Sequence, residues 1–387
     1  MSKPMSHILR ILFVATMMIP MACLDAHARE DVPDENFVTA SLLVSEPGGA
    51  LYSRLGHVAI RMQCPDHGLD YVFSYMTEDI LDKPFAFLSG KLKNGVAAIK
   101  YEDYIEDYRR QGRGMSEYIL NIPIEARQNL WRILDNHMLD GLNQSYDYLS
   151  RGCAHGTLML LKEGLAETGL TIEYGAWPEH YRNASRREIT YRQLKRFKWT
   201  TFILHLICNG AIDDTDCSNE QKTIMPADLP YVLANARING INVISGDPVE
   251  ILPNTWQPTE GIPTPMRAAA ILLLLTIICS IKNIGAMDYV LLGIQTALGT
   301  ITAYLILFSS LVCTEWSWLI IPFNPLPLVL WKWRRKWYLP YAIIIIVWAG
   351  FMIFWPHLLT DNAYIVIALS LATSYIMNYK KTALKNE

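Results

Sequence analysis

The chain has 387 residues, with 34 Lys+Arg against 37 Asp+Glu and a net charge of −3, so no global basic charge argues for a nucleic-acid partner. Hydrophobic residues make up 51% of it but are unevenly spread: nearly all long apolar runs follow Pro265. That asymmetry points to a water-soluble domain followed by a membrane domain, and excludes a wholly soluble protein.

Residues 1–28 read as a secretory signal. Lys3 and Arg10 supply the positive start, Ile11 to Met21 the apolar stretch, and Ala26-His27-Ala28 a small-x-small cleavage site. Cleavage is expected after Ala28, with a retained anchor as the alternative; a lipoprotein box at Cys23 fits badly with Pro20. Residues 29–225 then read as an exported α+β domain. "FVTASLLVS" gives a strand, "HVAIRMQ" a second and "LDYVFSYM" a third. "IPIEARQNLWRILDNHM" is an amphipathic helix, and "CAHGTLMLLKEGLAETGL" a second one that stops at Gly169. Residues 226–265, with seven prolines, are expected to form a tether.

Residues 266–379 hold about five membrane segments, near 268–281, 289–312, 316–331, 338–355 and 363–379, with a tail at 380–387. With the N-terminal domain outside, the inner loops collect Lys282, then Lys332, Arg334, Arg335 and Lys336, then Lys380, Lys381 and Lys385. The outer loops carry no lysine or arginine, as the positive-inside rule requires. The third segment contains "IPFNPLPLV", which breaks the helix at membrane depth. Asn324 and Pro325 there mark either a lipid-facing groove or a kink at a helix–helix contact. A basic run from Arg182 to Lys198, including Arg186, Arg187, Arg192, Lys195 and Arg196, reads as a headgroup contact or a solvated helix face.

Seven cysteines are present. In an exported compartment Cys208 and Cys217 are candidates for a disulfide. Cys153, in "SRGCAHGT", follows a glycine at a helix start, where unsatisfied N–H groups and the helix dipole favour a thiolate. A base completes an activated nucleophile. His155 lies two helical positions on, a rotation of about 200°, so it points away from the thiol and is expected to make a local contact. His57, heading a strand, is the candidate base, with Asp70, Ser74 or Ser53 as the residue that orients it. A zinc site built from His57, Cys153 and His155 lacks a usual spacing and a fourth ligand, so no metal and no cofactor are expected.

"LYSRLGHVAIR", "DYVFSY", "FAFLSGKLKNG" and "YDYLSRGCAHGTL" together resemble the N-terminal periplasmic domain of the lipoprotein N-acyltransferase (Lnb) family, over about residues 37–230. The order His then Cys also resembles permuted papain-like folds, in which a sheet histidine and a helix-start cysteine form a dyad. The chain departs from related sequences at Gly152 and Ser74, where asparagine is frequent. The resemblance implies a membrane-bound acyltransferase with Cys153 and His57 as its dyad. The acyl donor would be a diacylglyceryl lipoprotein or a phospholipid, the acceptor the α-amino group of a lipoprotein's N-terminal cysteine, and transfer from the sn-2 position would leave a lyso form. It implies an inner-membrane location, with the N-terminal domain periplasmic and the C-terminus cytoplasmic. The competing classes are a papain-like thiol hydrolase, amidase or phospholipase, and a non-enzymatic membrane sensor or scaffold.

Overall fold

The computed structural model describes residues 37–257, 263–355 and 361–384; the signal segment, its cleavage after Ala28 and the last three residues of the tail lie outside them. Alternating apolar residues build β1 (Thr39–Ser45), β2 (His57–Cys64) and β3 (Leu69–Thr77). Then come α1 (Pro84–Leu88), β4 (Lys93–Lys100), α2 (Tyr101–Arg110), β5 (Met115–Leu120) and α3 (Ile124–Leu139). They are followed by β6 (Gln144–Ser145), α4 (Cys153–Ala166), β7 (Glu173–Tyr174), α5 (Arg186–Gln193), α6 (Lys198–Ile207), α7 (Asn219–Lys222) and α8 (Leu229–Ala234). The domain closes with β8 (Ala236–Ile238), β9 (Ile241–Asn242) and β10 (Ile244–Leu252).

Seven strands form one antiparallel sheet in the order β10-β5-β1-β2-β3-β4-β6. Strand alternation sends Val58, Ile60, Met62 and Phe73 to one face, where they pack with Leu130, Leu134, Leu158 and Leu161 of α3 and α4. It sends Ala59 and Val72 to the other, against Tyr104, Ile105 and Tyr108 of α2. The stretch expected to be a tether is instead part of this domain: β10 is the edge strand against β5, and α8 packs its Leu229 and Leu233 into the main core. Five residues, Ile244, Ser245, Val249, Glu250 and Leu252, carry that pairing, and Pro248 falls at the register shift between Ser245 and Val249.

The basic run divides. Arg182, Arg192, Lys195, Arg196 and Lys198 are exposed, but Arg186 and Arg187 are buried and so contact no headgroup. The Arg187 guanidinium donates to Asp213 Oδ2 at 2.9 Å, to the Cys208 carbonyl at 2.8 Å and to the Tyr191 hydroxyl at 3.1 Å. A buried arginine is stable only with such partners.

The C-terminal part contains α9 (Pro265–Ile281), α10 (Ala286–Phe308), α11 (Leu326–Val329), α12 (Arg334–Phe354) and α13 (Ala363–Leu384). Among the described residues, two helices are long and apolar enough to cross a membrane, Ala286–Phe308 and Lys336–Phe354, and Pro265–Ile281 is a shorter apolar helix. The third expected segment is not one helix but short turns at 312–314 and 318–320 followed by the four-residue α11. Prolines 322, 325 and 327 explain the break. The freed carbonyls find partners inside the bundle. Asn324 Nδ2 donates to the Ile321 carbonyl at 3.1 Å and the Tyr341 hydroxyl at 2.6 Å, and Gln295 Nε2 donates to the Pro322 carbonyl at 3.2 Å. Asn324, read above with Pro325 as a lipid-proximal candidate, therefore takes part in a helix–helix contact, and Pro325 caps the short α11.

The two parts are joined tightly. Phe202 of α6 stacks on Tyr364 of α13 at 4.1 Å, and the Tyr364 hydroxyl donates to the Phe202 carbonyl at 2.6 Å. Ser310 N donates to the Ser89 carbonyl at 3.1 Å, and Asn209 N donates to the Cys313 carbonyl. The expected Cys208–Cys217 disulfide is absent: the Cys313 thiol lies 3.5 Å from Cys208 Sγ, while the Cys217 thiol reaches the Asp214 carbonyl at 3.5 Å. Burial of Cys208 against the membrane part separates it from the exposed 214–218 turn.

A Cβ on Gly299 of α10 would lie 2.5 Å from Asn324 Cα, so the broken segment packs directly on that helix backbone. Gly299→Val is expected to destabilise the bundle by about 1–3 kcal/mol through overpacking. Gly293→Ala, with nothing within 4 Å of the new methyl, should be neutral. Thermal unfolding of both variants in detergent checks the contrast.

Candidate active site

The site is built where β2 begins. Gly56 turns the chain at φ +79°, and a Cβ there would lie 2.7 Å from the Ser45 carbonyl oxygen, so both backbone and space require glycine. His57 follows and, by alternation with Val58, lies on the α2 face of the sheet. Its Nε2 is hydrogen-bonded to Ser74 Oγ at 2.8 Å. Of the three candidates for its partner, Ser74 alone reaches it. Asp70 takes Arg61 in a two-pronged ion pair at 2.7 and 2.8 Å, and Ser53 donates to the Ala50 carbonyl at 2.8 Å. Asp70 and Ser53 are thus corrected from orienting candidates to structural ones.

Cys153 arrives from the opposite face as the first residue of α4. Gly152 at the N-cap has an extended backbone (φ −70°, ψ 160°) and no capping side chain. The first N–H groups of the helix therefore have no side-chain oxygen to satisfy them and turn to the sulfur. The N–H groups of Val58, Ala154 and Cys153 itself all favour charge on Sγ. The donation from Val58 is possible because the β2–β3 ladder stops at Ile60↔Phe73, leaving the head of β2 unpaired on that side. Gly156 lets the helix come this close: a Cβ there would lie 2.8 Å from the Tyr75 ring on β3.

The thiol sits against the backbone N–H of Val58, the residue next to His57. Among the described residues no hydrogen bond joins imidazole and thiol, and His57 bonds through Nε2 and not Nδ1, so Nδ1 is the nitrogen open to a proton. His155 points elsewhere, its Nδ1 against the Glu220 carbonyl at 3.1 Å, as its helical rotation requires.

Burial dominates the electrostatics. It lowers the His57 pKa to about 4, helped by the positive charge of Arg113, and it pushes the Cys153 thiol up against the pull of the three N–H groups and Arg113. At neutral pH both groups are neutral, a state in which an imidazole can accept a proton and a thiol can give one up.

Four participants were not singled out from the sequence. Ser45 is the cross-strand partner of His57 in the β1–β2 register. Tyr104 and Tyr108 of α2 are bonded hydroxyl to hydroxyl at 3.1 Å, Tyr104 also to Ser74 and Tyr108 to Ser45. Arg113, in the connection from α2 to β5, donates to Ser45 Oγ at 2.8 Å. Only register and helix placement join these residues; the one local signal is an arginine held between two glycines in "QGRGM".

Residues 28–196 match the family model described as the Lnb N-terminal periplasmic domain, and residues 257–386 match the one described as the Lnb transmembrane domain. No curated protein and no solved structure matches the chain. The two matched segments fall in order on the mixed domain and on the helical part, and between them they cover most of the sequence. The chain belongs to the Lnb family, a periplasmic α+β domain followed by a transmembrane helical domain, and this membership suggests a membrane enzyme of lipoprotein maturation.

Proposed function

We propose that the protein is a thiol acyltransferase that moves a fatty acyl chain to the α-amino group of a lipoprotein's N-terminal cysteine. The observation that carries this reading is the thiol of Cys153, seated on three backbone N–H groups beside a neutral His57, in an Lnb-type domain. Cys153 Sγ attacks the ester carbonyl of a glycerolipid while His57 Nδ1 takes the thiol proton. The C–O bond of the tetrahedral intermediate then breaks, the imidazolium returns the proton to the departing alcohol, and a thioester remains. The lipoprotein amine attacks that thioester, an amide forms, and the thiol is regenerated. The N–H groups of Cys153 and Ala154, at the helix start, are suited to hold the oxyanion of both intermediates.

The acyl donor in this reading is a diacylglyceryl lipoprotein, through its sn-2 chain, or a phospholipid. Donor and acceptor both stay in the bilayer, which gives the transmembrane part a purpose that a cell-wall hydrolase would not need. The protein then sits in the inner membrane, with its first domain periplasmic and its C-terminus cytoplasmic, in keeping with the charge distribution of its loops.

Cys153→Ser, expressed in cells that lack lipoprotein N-acylation, is expected to leave the N-terminal peptide of a lipoprotein unacylated, whereas the unaltered protein acylates it; mass spectrometry of that peptide decides. An unchanged acylation pattern in the serine variant would overturn the mechanism. Release of free fatty acid without an N-acyl product would move the reading to a hydrolase.

His57→Gln should lower acyl transfer by about 10²- to 10⁴-fold, the usual worth of a general base. Ser74→Ala should lower it about 5- to 10-fold, the worth of one orienting hydrogen bond. Initial rates on a lipopeptide in detergent measure both.

The pH dependence has a definite sign. Because the His57 pKa is lowered to about 4, the neutral imidazole persists well below the range of an ordinary histidine. Formation of the Cys153 thioester, the step that precedes attack by the amine, should therefore stay near its full rate as pH falls from 7 to about 5 and fall only as pH approaches 4, as followed by acylation of Cys153 in the absence of an acceptor. A midpoint near 6.5 would contradict the burial of the imidazole.

A further inference from the structure

Arg113 is buried, with 3% of its surface exposed. Its guanidinium donates to Ser45 Oγ at 2.8 Å, to the Glu46 carbonyl at 3.0 Å and to Gln111 Oε1 at 3.3 Å, and it lies 4.5 Å above the Tyr108 ring. Every one of these acceptors is neutral. Among the described residues no carboxylate is paired with Arg113; the carboxylate of Glu46 takes its hydrogen bond from Asn254 instead. Buried Arg186 likewise meets a neutral acceptor, the Ala211 carbonyl, but it lies away from His57 and Cys153; two other arginines of the domain are paired with carboxylates. Arg61 has Asp70 and Glu117, and Arg187 has Asp213. A buried cation without a counter-ion is costly, and beside a group that becomes an anion that cost is offset.

Its contacts lead to one place. Ser45 stands opposite His57 in the sheet, and Tyr108, which the guanidinium covers, leads through Tyr104 to Ser74, the partner of His57 Nε2. Arg113 is thus connected to the imidazole from two sides.

We propose that Arg113 is a positioning residue of the site, the fixed positive charge that holds negative charge at Cys153 and keeps His57 unprotonated. The inference rests on the reading of Cys153 as the nucleophile. It adds a reason for efficient transfer to an amine: when the thioester opens, the departing thiolate is already provided with a cation.

The charge of Arg113 reaches both groups, disfavouring protonation of His57 and favouring ionisation of Cys153. The other titratable groups packed here are Tyr75 from β3, Tyr146 from the segment before α4, Tyr104 and Tyr108 from α2, and His155 on α4 itself. Burial raises all four phenols, which are therefore neutral up to about pH 9, and lowers the His155 pKa, so His155 is less readily protonated than an ordinary histidine.

The test is the pH profile of Cys153 alkylation by iodoacetamide in the full chain in detergent, read by peptide mass spectrometry. Removing the cation moves both steps of deprotonation of the His57–Cys153 pair to higher pH, so the sign does not depend on which neutral form the pair prefers. Arg113→Met is expected to shift the midpoint of thiolate reactivity upward by about one pH unit, a rate loss of about tenfold at pH 7. Arg113→Lys should restore most of it. Ser45→Asp keeps the arginine but gives it a carboxylate, and should shift the midpoint in the same direction should Arg113→Met fail to fold. A midpoint unmoved in Ser45→Asp and in folded Arg113→Met, or moved equally in Arg113→Lys and Arg113→Met, would overturn the proposal. Alkylation requires no acyl donor. A shifted midpoint in a protein that acylates no lipoprotein would therefore leave this inference standing and overturn only the reading of function.

Discussion

The arrangement of the site depends on one interrupted ladder. β2 and β3 are hydrogen-bonded from Cys64↔Leu69 to Ile60↔Phe73 and no further. Had the pairing continued, Val58 N–H would face a strand carbonyl, and the head of the sheet would be closed. With the ladder ended, the start of α4 fills the gap and the Cys153 sulfur takes the N–H of Val58. The same opening lets Ser74, on β3, reach across to His57 by its side chain. Unpaired strand ends must be satisfied by something, and here a thiol and a hydroxyl do so.

That opening sets the electrostatics too. A helix start, a strand end and α2 close around the imidazole and thiol, and desolvation outweighs every other influence on their protonation. Three N–H groups on the sulfur and a guanidinium nearby oppose this without reversing it. The balance leaves a neutral pair, with groups that would stabilise negative charge on the sulfur already in place; in the proposed reaction they would act on the transition state and not on the ground state.

How much of this was legible in the sequence follows from the range of each interaction. Period-two and helical patterns are local, and β1, β2, β3, α3 and α4 begin and end within a few residues of where those patterns place them. Cys153 and His57 stood out because a helix start and a strand head are also local signals. The stretch from 226 to 265 misled because its prolines suggest irregular chain, yet one falls at a register shift of an edge strand, where a missing N–H is harmless. Asn324 and Pro325 marked a real break in the third membrane segment, but the partners that satisfy it, Gln295 and Tyr341, lie on other helices and carry no local signal. Ser45 and Arg113 were invisible for the same reason: the first needs the β1–β2 register, and the second is defined by an ion partner it lacks.

The neutral character of Ser74 has a consequence for the whole site. Were the third residue a carboxylate, it would favour an imidazolium and raise the pKa of His57, and it would give Arg113 a counter-charge a few residues away through the two tyrosines. The cation's field at the sulfur would be diluted by a nearby anion. A hydroxyl fixes the orientation of the ring without adding charge. The tyrosines between Ser74 and Ser45 are likewise neutral, so the chain of hydrogen bonds behind His57 connects the imidazole to the guanidinium without screening one from the other. Serine at this position and an unpaired arginine at 113 are therefore two halves of one electrostatic solution. The position that keeps the imidazole in place contributes no charge, and the position that supplies the charge touches neither the imidazole nor the thiol.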